Sequence, residues 1–480
     1  MILCDPTGVT GYRFLQFPDN ILQHLLLSGK ILSEKKSIFA PVKDNPSSLI
    51  KCDSRNLLPD LCHPDKTNTM QQIQYKVYGY RWVMLAIYML IVAMNQLLWI
   101  TFAPVTSEAA RYYQVGDLQI GMLSMCFMVV FILVSIPASW IIDSYGIRTG
   151  VGIGAALTGA FGLIRGFAGP HYNILLVAQI GIAVGQPFLL NATTKIAARW
   201  FPMAERATAA GLGTLSMYIG ILAGMIATPY LVMGSGMASA LYIYGIISLI
   251  SAVLFMIFAK EAPPSPPCLS GQEERALVYD GLKQTLKTRD FNWLMLIFFI
   301  GLGVFNCVTT WIENILSPRG FTTAQAGITG GLMIAGGIIG ALVIPLLSDH
   351  YRRRTPFIIF ALTGATLGLA GITFAHNYYI LLLSGAALGF FLLSSGPIGF
   401  QYGAEITYPA SEGTSNGLLL LMGQISGIAM ILGMDMFKSP VNGSMFRPMI
   451  FLIIIMFMRI LISLKLKESV LMKQQHDKNE

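Results

Sequence analysis

The pattern of apolar and polar positions divides this chain into long runs. From residue 81 onward, apolar stretches recur between short polar breaks. Each is about 17 to 25 residues long, enough to cross a ~30 Å hydrocarbon core as a helix rising ~1.5 Å per residue. Twelve can be placed: 81–104, 120–142, 151–168, 173–197, 209–232 and 238–259, then 293–312, 324–347, 356–375, 378–402, 417–437 and 448–464. Helix is the required form, because lipid offers no partner to the free N–H and C=O groups an open sheet leaves at its edges. The predicted fold class is therefore an all-α membrane protein of twelve transmembrane helices. In "GGLMIAGGIIGALVIP" small residues recur at four-residue spacing, the signature of a helix-packing face.

Two segments stand outside this pattern. Residues 1–69 interleave Asp, Lys, Asn, Pro and Ser, with one apolar stretch around 21–27, far short of the ~20 residues a span needs. The segment lacks the order of a secretory signal, and two readings remain open: a disordered polar tail, or sequence upstream of a true start at Met70, where "MQQIQYKVYGYRWVML" leads into the first run. Residues 260–290 separate six runs from six. The Pro-rich "EAPPSPPCLSGQEER" reads as a semi-rigid linker and "ALVYDGLKQTLKTRD" as a surface amphipathic helix. The expected domains are 1–69, a six-helix bundle at 70–259, the linker at 260–290, a second six-helix bundle at 291–467, and a tail at 468–480.

Composition agrees and narrows the function. With 54% hydrophobic and 12% charged residues, and a mean hydropathy of +0.62, a water-soluble globule is excluded. The net charge of +8 points to one side of a bilayer rather than to nucleic acid. Counting from Met70, nineteen Lys and Arg, Arg459 among them, fall in the lead, the even-numbered loops and the C-terminal tail. Only Arg111, Arg319, Lys438 and Arg447 fall in the odd-numbered loops, so both termini are expected in the cytoplasm, in a plasma or inner membrane. The six Cys are scattered without metal or disulfide spacing, and the six His lie in tails or loops. No Ser/His/Asp grouping, mid-membrane carboxylate pair or phosphate-binding Gly loop is present, so the reading is of a non-enzyme that needs no metal or cofactor. It is expected to act as a monomer.

The two sets of six runs carry matching landmarks. "WIIDSYGIRTG" follows the second run and "PLLSDHYRRRTP" the eighth, placing Asp143 and Asp349 at 349 − 143 = 206. "RWFPMAERATAAGL" and "TYPASEGTSNGLL" follow the fourth and tenth, with Pro202 and Pro409, and Glu205 and Glu412, each 207 apart. This is internal duplication, as in transporters built from two parallel repeats. Charges at cytoplasmic helix ends can bridge two rocking halves and release when that face opens. Asp143, Arg148, Asp349, Arg352 and Arg354, with Glu205 and Glu412, form the predicted gate; the alternative is solvated surface charge worth ~0–1 kcal/mol per pair.

Alternating-access transporters bind substrate near mid-membrane between the halves. At ~1.5 Å per residue, Gln186 lies ~20 Å into the fourth run and Gln424 ~11 Å into the eleventh, with Trp99 and Asn306 ~27 and ~20 Å from the inner ends of the first and seventh. These four are the candidate substrate-binding residues. Neutral polar side chains at this depth also glue helices together, and Trp99 also fits an interfacial belt. Arg165 and Asp435 lie toward outer helix ends and Lys195 toward an inner one. With no acid evident at the centre, facilitated or potential-driven movement is favoured over proton coupling.

The loop "DSYGIR" is similar to the signature of the major facilitator superfamily, with Asp143, Gly146 and Arg148 in place, which adds Gly146 to the gate; in "DHYRRR" the glycine is replaced by Arg352. More narrowly, "NQLLWITFAPV", "WFPMAERATA", "EITYPASEGTSNGLL" and "GQISG" resemble the feline leukaemia virus subgroup C receptor-related family, from about Tyr80 to the end of the chain. The resemblance implies the major facilitator fold and transport of a small organic solute. Members that carry choline or ethanolamine hold the amine against aromatic faces with Gln nearby, and the matching positions are Trp99, Gln186 and Gln424. The family's aromatic in the seventh run is Asn306 here, the mate of Trp99 at 306 − 99 = 207, with Phe305 and Trp311 as the neighbouring aromatics. Haem, the other cargo the resemblance suggests, lacks a His at depth to serve it. The competing reading is a membrane receptor or sensor without transport, which has no need of two matched halves.

Overall fold

The computed structural model describes residues 77–265, 283, 285–407 and 412–468, and every regular element among them is a helix. The first half comprises α1 (Tyr80–Ile100), α2 (Thr106–Tyr113), α3 (Asp117–Tyr145), α4 (Ile147–Gly166), α5 (Tyr172–Leu190), α6 (Thr193–Trp200), α7 (Met203–Ser235) and α8 (Met237–Phe258). The second comprises α9 (Arg289–Thr310), α10 (Ile312–Leu316), α11 (Thr323–His350), α12 (Thr355–Phe374), α13 (Tyr378–Thr407), α14 (Glu412–Met436) and α15 (Phe446–Ser463). Among the described residues, twelve helices are long and apolar enough to cross a membrane, and the chain is an integral, multi-pass membrane protein. The expectations for residues 1–69, and most of those for the second part of the linker, lie outside the described residues.

Three predicted runs are broken helices. The first bends after Ile100 through a 3₁₀ turn at Ala103–Val105, where Pro104 cannot continue the hydrogen-bond ladder, and resumes as α2. The fourth passes from α5 to α6 three residues beyond Pro187. The seventh breaks at Trp311 and resumes as α10. One charge is also relocated. Arg459, counted above among the cations of the lead, even-numbered loops and C-terminal tail, lies inside α15 and is 2% exposed.

The repeat extends into local geometry. Gln119 Oε1 accepts the N–H of Gly116 at the start of α3, and Gln325 Oε1 accepts that of Thr322 at the start of α11, positions 206 apart and each answering an orphan N–H of a helix N-terminus. Beyond the other ends, Gly146 has φ +92° and Arg352, also 206 further on, has φ +52°. The departure in "DHYRRR" therefore places an arginine in left-handed backbone that glycine adopts without strain. The small-residue face of α11 packs on α13, where a methyl at Gly340 or Gly389 would overlap the carbonyl of Phe390 or Met333.

Candidate substrate site and gates

Helix α1 brings the first cluster together. Trp99 is buried, and its indole N–H donates to the Ser124 carbonyl of α3 at 3.1 Å, which fixes the ring. One turn earlier on the same face, Gln96 accepts from Gln186 Nε2 of α5 at 2.6 Å. Gln96 is missing from the sequence-derived set, although a polar residue three positions before Trp99 in an apolar run was a readable signal. The adjacent Asn95 donates to Thr158 of α4 at 3.0 Å and to the Ile182 carbonyl at 3.3 Å. Behind the cluster, Arg165 donates to the Leu98 carbonyl at 2.9 Å, Gln179 Oε1 at 3.1 Å and Thr101 Oγ1 at 3.3 Å, beneath the Phe102 ring. It ties down the break of the first span next to Trp99.

The second cluster comes from α9 and α14. Asn306 is half-buried and donates to the Gly423 carbonyl at 3.3 Å, and half-buried Gln424 is the next residue along α14. The contact point between halves lies one turn on, where Gly427 meets both Asn306 and Met128 of α3. Trp99, Met125 and Met128 share one apolar core with Val304 and Cys307 of α9. Trp311 does not replace the missing aromatic. Its N–H donates to the Ile431 carbonyl at 3.2 Å and its ring fills the space over Gly121 of α3. A cavity of about 350 Å³ lies elsewhere, between α12 and α13, and holds none of these residues.

On the face that carries the described ends of the chain, Asp143, Glu205, Asp349 and Arg354 of the predicted gate pair within their own halves. In the first half, Lys195 meets Asp143 at 2.7 Å and Arg81 meets Glu205 at 3.0 Å. Glu261 pairs with Arg199 and accepts the backbone N–H groups of Ile147 at 3.0 Å and Arg148 at 2.7 Å. In the second half, buried Arg354 joins Asp349 and Glu405, and its N–H donates to Glu468. None of the ion pairs described on this face crosses between halves. Glu405, Glu261 and Glu468 were not anticipated, and the side chain of Glu412 lies outside the description.

The opposite face is where the halves are joined. Glu313 of α10 is buried and accepts the backbone N–H of Ser107 at 2.8 Å. It thereby supplies, from the other half, the N-terminal cap that Val105 cannot give α2. Burial pushes the Glu313 carboxyl up, only partly opposed by the Ser107 hydrogen bonds and reinforced by Asp117 and Glu108. A second crossing contact joins Lys438 to Asp117 at 3.5 Å, with Asp435 at 2.7 Å on the same ammonium. Deeper on this side, Gly327 of α11 abuts Met225 and Pro229 of α7. The halves are latched on this face.

Comparison with known proteins places this architecture. The family model described as Major Facilitator Superfamily matches residues 84–431. Solute carrier family 49 member A3 of Xenopus tropicalis is 31% identical over 373 residues, covering 74% of this chain and 77% of the relative. The choline/ethanolamine transporter FLVCR2 of Homo sapiens is 26% identical over 375 residues, covering 74% and 71%. The chain belongs to the major facilitator superfamily, in its feline leukaemia virus subgroup C receptor-related family. The fold is similar to that of an inward-facing, unoccupied bacterial homologue of the human lysosomal transporter Spinster, with a TM-score of 0.65 at 16% identity over 81% of this chain and 98% of that one. As a superfamily member, the chain is a membrane transporter.

Proposed function

We propose that this transporter moves a small organic solute with a cationic amine head, by alternating access, through a site lined by Trp99, Gln96, Gln186, Asn306 and Gln424. The carrying observation is the group of Trp99 with the Gln96–Gln186 pair, two amides and an indole on facing helices at one depth. A desolvated ammonium over an indole gains ~2 kcal/mol without a buried counter-ion, and amide oxygens accept its N–H or polarised C–H groups. That FLVCR2 carries choline and ethanolamine supports an amine; Asn306, in place of the mate aromatic, argues for a head smaller than a fully caged quaternary ammonium. The latch at Glu313 and Lys438 supports a state open toward the face of the chain ends, which the distribution of Lys and Arg makes cytoplasmic. There Asp143, Arg148, Asp349, Arg352, Arg354, Glu205 and Glu412, with Gly146 as the turn, would re-pair across the halves in the opposite state.

The test is uptake into proteoliposomes of radiolabelled ethanolamine, choline and a neutral solute of similar size. Saturable uptake of an amine by the wild-type chain, lost in Trp99→Ala and shifted to about tenfold higher KM in Gln186→Ala while the folded monomer peak is kept, supports the reading. Saturable uptake of only the neutral solute, or amine uptake unchanged in Trp99→Ala, refutes it.

A further inference from the structure

Helix α15 carries a buried guanidinium that its surroundings barely answer. Arg459 is 2% exposed, and arginine stays charged inside proteins. The group lies flat against Gly301 of α9, where a methyl would collide with it, so the glycine makes its space. Its polar neighbours among the described residues are Ser395 Oγ of α13 at 3.4 Å and Met456 Sδ at 3.6 Å, both weak, and its Nε has none. Ser395 commits its own proton to the Leu392 carbonyl at 2.7 Å. The other buried arginines are different: Arg354 has the carboxylates of Asp349 and Glu405, and Arg165 has three neutral oxygens and a ring face.

Burial makes the deficit costly. Arg459 is 463 − 459 = 4 residues from the end of α15, about 6 Å, yet its side chain is enclosed against Gly301, 301 − 289 = 12 residues along α9, about 18 Å. A guanidinium held out of water without a counter-charge destabilises the packing around it. We propose that Arg459 and Ser395 form a site for one monovalent anionic group, a halide or the carboxylate of a carried solute, between α9, α13 and α15. One guanidinium balances a single negative charge, and the Ser395 hydroxyl turns its proton from the Leu392 carbonyl to the bound anion; a dianion would leave net charge in an apolar wall. The site stands on this geometry alone and is independent of the amine reading.

The test is thermal unfolding of the purified full chain in nanodiscs, at constant ionic strength, in sodium chloride, sodium acetate and sodium sulfate. Chloride or acetate raises the midpoint of the wild-type chain in a saturable manner and sulfate does not. Arg459→Met loses the response and Arg459→Lys keeps part of it. Response to chloride alone identifies an inorganic co-ion, and response to acetate alone identifies a solute carboxylate. Ser395→Ala, which keeps the cation and so guards against a misfolded Arg459→Met, raises the half-saturating concentration by about tenfold, the effect of one hydrogen bond to a charged group. A wild-type chain that treats the three salts alike, or an anion response unchanged in both Arg459→Met and Ser395→Ala, overturns the proposal.

Discussion

Substituting Glu313 by Gln separates the acceptor from the charge in the contact that joins the two halves. Gln keeps an oxygen for the Ser107 N–H, so the hydrogen bond survives. Burial raises the Glu313 carboxyl in the latched state; once the face opens and water enters, the group returns toward the ordinary carboxylate range. The latched state therefore holds the proton more tightly. Its advantage is fully present below the ordinary range and is lost as pH rises through the raised value. Within that window one linked proton changes the balance by at most ~1.4 kcal/mol, a factor of about ten, per pH unit. The readout is the distance between spin labels at Arg111→Cys and Val441→Cys, exposed positions on opposite sides of the latch, with native cysteines removed. The short-distance population of the wild-type chain falls as pH rises across the window, whereas Glu313→Gln stays short throughout. A wild-type distribution that ignores pH, or a Glu313→Gln chain that retains the dependence, refutes the linkage.

Three further outcomes follow from packing. Arg354→Met should lower stability by about 3–5 kcal/mol, because it strands the buried Glu405 carboxylate. Asp349→Ala, at a carboxylate 58% exposed, should cost under ~1 kcal/mol; equal melting shifts for the two would contradict this. Gly146→Ala should cost about 1–3 kcal/mol from φ alone, and its methyl would also push the Glu261 carboxylate off the Ile147 and Arg148 N–H groups, as limited proteolysis of the adjoining linker would report. Gln96→Ala should raise the KM for an amine by about tenfold, similar to Gln186→Ala, with the double variant less than additive since the two share one hydrogen bond. Fully additive losses would mean the two amides act separately.

The crossings, their number and the duplication were legible because lipid acts on each residue locally: a span must be apolar for ~20 residues whatever its neighbours do. Gln96 and Arg459 were legible as well, each a polar residue within an apolar run. Gln96 stands beside the more conspicuous Trp99, and Arg459 counts equally well as a charge that sets orientation. Glu313 was hidden differently. The predicted seventh run ends at Ile312, and nothing local reveals that the helix breaks at Trp311 and turns the next acid into the other half.

What the amino-acid order determined alone is the solvent each segment prefers, and hence the twelve helices and their twofold plan. Tertiary structure decided the pairings: Gln186 with Gln96, Glu313 with the N-terminus of α2, and Asp143 and Asp349 with partners in their own halves. The physical reason is that a transporter's two states contain the same helices and differ by only a few kcal/mol in how the halves meet. Composition and periodicity are blind to that difference, and it is carried by a few long-range polar contacts that form on one face at a time.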